Sequence, residues 1–166
     1  MAPIEQPKLT HAFDLTIRGP PGFASESSPQ SNLSVAHVHT GSLKSADGTI
    51  DIPLSVGSDW MRLHQDYADI DARVSCASLP GTKPEIQCDI EYKGRIAFHG
   101  PMLQLWKGEK ESLDWGEGYY YTTPLLASRS EELGWVNKTV FLGMGKIRVT
   151  ESGSVEVVYR IFRVGH

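Results

Sequence analysis

The chain has 166 residues, with 16 basic and 20 acidic side chains and a net charge of −4, the size of one ordinary domain. Hydrophobic residues at 40% and charged residues at 22% match globular averages and exclude a disordered tail. An isoelectric point near 5.8 without a block of Lys or Arg argues against nucleic acid as a partner, because phosphate neutralisation needs clustered positive charge.

The opening segment, Met1 to Ile17, has no apolar run long enough for a signal peptide, and no later run could span a bilayer. The reading is a soluble, cytoplasmic protein with no membrane partner. The triplet Asn137-Lys138-Thr139 matches a glycosylation acceptor, but without a secretory signal it is read as coincidence. Two cysteines, Cys76 and Cys88, are too few for a disulfide framework, and their spacing does not suggest zinc.

Sixteen glycines and ten prolines punctuate the chain, and the stretches between them are short, alternating and rich in Val, Ile, Tyr and Thr. This pattern predicts strands at His11 to Arg18, Leu33 to Leu43, Gly48 to Pro53, Ile70 to Ser78, Glu85 to Tyr92, Gly94 to His99, Tyr119 to Thr123, Val136 to Lys146 and Val155 to Val164. Short helical turns are expected at Asp59 to Tyr67 and Arg129 to Gly134. Residues 19–32, with Pro20-Pro21 and a Ser-rich run, read as a flexible loop, and 101–118, with Trp106 and Trp115, as a long loop insertion. The whole chain, 1–166, then forms one all-β domain, an antiparallel barrel of about eight to ten strands. Closure removes edge strands, and a barrel of that size has room for one small ligand at its mouth.

The sharpest local inference is a hairpin. If Leu79-Pro80-Gly81-Thr82-Lys83-Pro84 is the turn, Cys76 faces Cys88, Val74 faces Ile90 and Ala72 faces Tyr92 on one side, while Ser75 faces Asp89, Arg73 faces Glu91 and Asp71 faces Lys93 on the other. A one-residue slip would destroy both halves of this pattern. The two sulfurs would bond only if the geometry suits. The charged face has two readings. It is a solvated ladder, or it lines a polar cavity in which Arg73 binds an oxyanion or carboxylate and Glu91 holds the guanidinium.

His37-Val38-His39 puts two imidazoles on one strand face, but no third ligand is identified, so no metal is expected. His64 is a candidate acid or base. Tyr119-Tyr120-Tyr121 sends its outer two rings to one face and the middle ring to the other. Gly143-Met144-Gly145 lacks the strand-Gly-helix context of a nucleotide fingerprint, and no nucleophile elbow appears. No cofactor is expected.

Gly57-Ser58-Asp59-Trp60, Asp66, Asp71-Ala72-Arg73-Val74, Ile90-Glu91-Tyr92-Lys93-Gly94, Tyr121-Thr122-Thr123-Pro124, Trp135-Val136-Asn137 and Val140-Phe141-Leu142-Gly143, in that order, resemble domain-of-unknown-function family 3237, small proteins with a calycin-like barrel. The resemblance implies that barrel and points to Asp59, Trp60, Arg73, Thr123, Trp135 and Asn137. The chain looks similar to fungal members, which resemble tailoring proteins of secondary-metabolite pathways.

The resulting expectation is a cofactor-independent enzyme that isomerises, dehydrates or cyclises a small, hydrophobic or aromatic, polyketide-like or terpenoid-like molecule by proton transfer. Arg73 would stabilise the oxyanion, Glu91 or Asp59 would move the proton, and Tyr119 and Tyr121 would donate hydrogen bonds or stack. Trp60, His64, Thr123, Trp135 and Asn137 would contact the substrate. The rival is a lipocalin-like carrier; a structural or interaction protein ranks below both. Arg73 and Glu91 pointing inward favour catalysis, whereas Val74 and Ile90 pointing inward favour a carrier or a solid core. Pairing into a homodimer is a further expectation.

Overall fold

Strand side chains alternate between the two faces of a sheet, so a sheet closed on itself sorts them into a lumen and an outer surface. A computed structural model describes residues 6–21 and 32–165. Its strands are β1 (Lys8–Pro21), β2 (Leu33–Val38), β3 (Thr40–Ser45), β4 (Asp51–Leu63), β5 (Tyr67–Ala77), β6 (Gln87–Ala97), β7 (Ser112–Leu113), β8 (Tyr120–Ala127), β9 (Phe141–Val149) and β10 (Ser154–Gly165). β1 pairs with β3, the order continues through β4, β5, β6, β8 and β9, and β10 pairs with both β9 and β1. All pairings are antiparallel. β2 continues the β3 course along β4, and the result is a closed antiparallel barrel of eight strand courses.

The predicted hairpin forms in the predicted register: Cys76 pairs with Cys88, Val74 with Ile90, Ala72 with Tyr92 and Arg73 with Glu91. Its turn follows from local chemistry. Pro80 presets the first corner, Gly81 takes φ of 84°, and the Thr82 N–H donates to the Leu79 carbonyl at 3.0 Å. Both cysteines are free and buried.

Several expectations fail: the strand expected at Val136 to Lys146 begins within a 3-10 helix and becomes strand only at Phe141, and Leu33 to Leu43 is two strands, β2 and β3, broken at His39. The stretch read as a helical turn at Asp59 to Tyr67 is instead the second half of β4 and the turn into β5. Pairing of β4 with β5 slips between Leu54 and Val56, a β-bulge just upstream, and from Asp59 onward the side chains alternate with period two. The strands expected at Glu85 to Tyr92 and Gly94 to His99 are one strand, β6, because Gly94 stays in the ladder opposite Ile70. The 101–118 insertion is not a plain loop but holds helix α1 (Gly100–Trp106) and β7. The expected 19–32 loop lies outside the described residues from 22 to 31, and β1 runs through Pro21.

The barrel is solid at one end and hollow at the other. Phe13, Leu133, Val136 and Phe141 fill the solid end, where a 3-10 helix, Glu131–Lys138, lies across the opening. Trp135 from that helix stacks on Phe13 at 5.6 Å between ring centroids. At the other end α1 sits over the mouth, anchored by the fully buried Met102. Leu133→Ala is therefore expected to cost about 2–5 kcal/mol, whereas Met61→Ala, beside the hollow, costs less because the side chain already borders empty space. Urea unfolding of both variants measures this; equal losses would contradict the division.

Candidate functional site

The bulge in β4 decides what the hollow end contains. Before it, Ile52 points into the barrel; after it, Asp59 and Met61 do, and Trp60 faces out. Asp59 thus ends in a cavity of about 250 Å³ walled by Ile17, Ala36, Met61, Ile96, Ile147 and Val157, with Met102, Leu105 and Trp106 of α1 at its mouth. The polar groups at its base are Asp59, Tyr120 and Tyr159. Among its described lining residues there is no Lys or Arg, and the one basic side chain is the exposed His37.

Asp59 is 5% exposed, and its Oδ1 has no hydrogen-bond partner among the described protein groups. Burial raises its carboxyl from the ordinary 3.8 to about 7, the nearby Asp71 carboxylate adds to the rise, and the Asp71 backbone N–H offsets part of it. The Tyr120 and Tyr159 hydroxyls share a short hydrogen bond, and their rings meet edge to face at 5.3 Å. Tyr92 packs behind, its ring 4.8 Å from Tyr159. Burial first, and then neighbouring charge that includes Asp59, holds all three phenols well above their usual range. They stay protonated and act as donors beside a carboxyl that titrates near neutrality.

Room for this cluster comes from glycine. Gly143 and Gly145 occupy inward positions on β9, and a Cβ at Gly145 would lie 2.5 Å from the Tyr120 ring. The Gly-Met-Gly motif therefore admits the Tyr120 ring.

Most residues expected at the site lie elsewhere. Arg73 and Glu91 are on the outer face, with side chains 60% and 44% exposed and only 3.5 Å apart, so neither reaches the cavity, and Val74 and Ile90 point inward. Tyr119 and Tyr121 are exposed and touch each other edge to face, whereas Tyr120 between them is buried. Trp60 is exposed and donates to Ser58 Oγ at 3.1 Å. Thr123 donates to the Lys93 carbonyl on the outer face at 3.3 Å. His64 sits 3.2 Å from Asp69 Oδ2 and stacks on Tyr67 at 4.2 Å, outside the cavity. Trp135 belongs to the solid end. Asn137 braces a loop there, accepting from the Ser128 N–H at 3.0 Å and donating to the Ser128 carbonyl at 2.8 Å.

Of the expected site residues only Asp59 lines the cavity. Tyr159 and Tyr120 were missed, although Tyr159 alternates with Val157 and Ile161 and Tyr120 was placed opposite its neighbours. His37 and His39 are both exposed, and among the described residues no group of three or more His, Cys, Asp or Glu is placed to hold a metal ion. Burial pushes both cysteine thiols up to about 12. Among the described residues no helix is long and apolar enough to cross a membrane.

Residues 7–164 match the family described as protein of unknown function, DUF3237, and the chain belongs to that family. No protein among curated sequences matches it. A conserved protein of unknown function from Rhodopseudomonas palustris is 17% identical, with a TM-score of 0.75 over 97% of this chain and 99% of that one. A β-barrel-like protein from Acinetobacter baumannii is 18% identical, with a TM-score of 0.67 over 99% of each chain. A protein described as an enzyme from Penicillium herquei is 14% identical, with a TM-score of 0.57 over 97% of this chain and 98% of that one. At these identities the likeness establishes the barrel alone.

The Asp59 shift has a stability consequence. A carboxyl held above its unfolded value costs the fold nothing below about pH 4, and the cost grows as pH rises toward 7 and then levels off. Asp59→Asn is expected to leave stability at pH 4 unchanged and to raise it at pH 8, by on the order of 4 kcal/mol. Urea unfolding across that range reads the difference; a gain independent of pH would contradict the assignment.

Proposed function

We propose that the protein is a cofactor-independent acid–base enzyme acting on a small uncharged molecule held in the hollow end of the barrel. The observation that carries this reading is a buried carboxyl, one of whose oxygens has no hydrogen-bond partner among the described residues, in a chamber lined mostly by apolar side chains, beside two hydrogen-bonded phenols. Burying a carboxyl costs stability unless it is compensated, and a carboxyl titrating near neutrality is suited to take up and return a proton.

The chemistry follows from the groups present. Asp59, ionised, takes a proton from carbon next to a carbonyl, and the electron pair moves to the carbonyl oxygen. The Tyr120 and Tyr159 hydroxyls stay protonated; one donates to the other, and the hydroxyl whose proton is left free donates to that developing oxyanion. Returning the proton to a different carbon isomerises the molecule. Returning it to a β-hydroxyl expels that group as water and dehydrates the molecule, and taking the proton instead from an internal hydroxyl, which adds to the β-carbon of an unsaturated carbonyl, and returning it to the α-carbon closes a ring. An anionic substrate would place a second negative charge beside Asp59, and the described lining offers no Lys or Arg and only the exposed His37 as a basic group, so the substrate is neutral and largely apolar. A polyketide-like or terpenoid-like ketone of fungal secondary metabolism meets that description, and the Penicillium herquei neighbour described as an enzyme is consistent with it.

The inward turn of Val74 and Ile90 favours the rival reading, a carrier. Catalysis is preferred because a carrier of apolar molecules gains nothing from Asp59. A panel of small bicyclic ketones, β-tetralone included, incubated in deuterated water separates the two. The enzyme reading predicts catalysed exchange next to the carbonyl that rises with pH through about 7. Asp59→Asn should slow it about 10²–10⁴-fold with binding retained, and Tyr159→Phe about 10²-fold. Binding without exchange would establish the carrier, and exchange that survives Asp59→Asn would remove Asp59 from the mechanism.

A further inference from the structure

The outer face of β4, β5, β6 and β8 carries charged and apolar side chains that the proposed chemistry does not use. Across β5 and β6 the facing pairs are Asp69 with Arg95, Asp71 with Lys93 and Arg73 with Glu91, opposite in sign at every step. Beside them stand Trp60, 47% exposed, Tyr121, 43% exposed, and Leu125, 64% exposed. Within the chain Asp69 and Arg95 form a close ion pair at 2.9 Å, whereas the pairing of the other charges is loose or absent. Arg73 reaches Asp71 and Glu91 only at 3.4 and 3.5 Å, and among the described residues Arg62 and Lys93 form no ion pair.

We infer that this face is a homodimer interface, with the two-fold axis running parallel to the strands between β5 and β6. Such an axis exchanges the two central columns, laying β5 of one copy over β6 of the other. Asp69 then meets the partner's Arg95, Asp71 the partner's Lys93 and Arg73 the partner's Glu91, each contact occurring twice. The same operation exchanges β4 with β8. Arg62 shares a row with Asp69, Arg95 and Tyr121, so it lies over the partner's Tyr121 ring, as a cation over an aromatic face. Trp60, two residues along β4, is set between the partner's Tyr121 and the partner's Leu125. The barrel wall curves away from the axis on both sides, so these outer columns need long side chains to meet, and they carry Trp60, Arg62 and Tyr121. Exposed aromatics and Arg are the residue types enriched at interface anchors.

Charge reversal tests this on the full chain. Sedimentation of the wild-type protein is expected to give a dimer. Arg73→Glu and Glu91→Arg each turn two contacts repulsive and should weaken self-association about a hundredfold. Mixing the two single variants restores attraction at both contacts, Glu to Arg in each direction, so the equimolar mixture should dimerise where neither variant does alone. Recovery on mixing also shows that both variants are folded. A monomeric wild type, single variants that remain dimeric, or a mixture that stays monomeric would each overturn the assignment.

Discussion

The one extra residue in β4 is the constraint on which the site depends. Because strand side chains alternate with period two, a strand without the slip between Leu54 and Val56 would keep even-numbered residues inward. Trp60 would then fill the lumen and Asp59 would meet water. The bulge reverses that parity partway along the strand, so the same strand supplies Ile52 to the solid core and Asp59 to the cavity. A carboxyl is costly in that position, and the fold offsets it with the buried Phe13, Leu133, Val136 and Phe141 at the opposite end of the barrel.

That division of the barrel explains the contrast between its two ends. Phe13, Phe141, Leu133 and the stacked Trp135 close one end, and their burial, each large apolar side chain contributing roughly 1.5–3 kcal/mol, supports a hollow that stabilises nothing by itself. At the cavity end the wall carries the small Ala36 and Gly19. Across the middle run Tyr92, Tyr120 and Tyr159, whose buried rings belong to the core, and Tyr120 and Tyr159 also line the cavity. Gly145 completes the arrangement by giving the Tyr120 ring its space.

The hairpin from 70 to 92 was legible because two independent patterns, apolar and charged, agreed on one register, and the structure has that register. The barrel followed from the same strand grammar. The site was less legible, for a physical reason: sequence shows which residues share a face, but not which face is the lumen. Arg73 and Glu91 share a face, and it is the outer one. Alternation separates Tyr120 from Tyr119 and Tyr121 but does not show which of the two faces is the lumen. Asp59 was singled out through its Gly-Ser-Asp-Trp motif, whereas its inward orientation rests on a bulge that has no sequence mark of its own. Tyr159 carried a period-two signal with Val157 and Ile161, but an aromatic residue in such a row reads as ordinary core.

The central claim is that the carboxyl of Asp59 is buried and exchanges its proton near neutral pH. NMR titration of labelled aspartate side-chain carboxyls, with the Asp59 signal identified by its loss in Asp59→Asn, measures this directly. The account predicts a midpoint of about 7, standing apart from the other aspartates. A midpoint at the ordinary carboxylate value would mean that Asp59 is solvated, and it would contradict both the orientation set by the β4 bulge and the chemistry built on it.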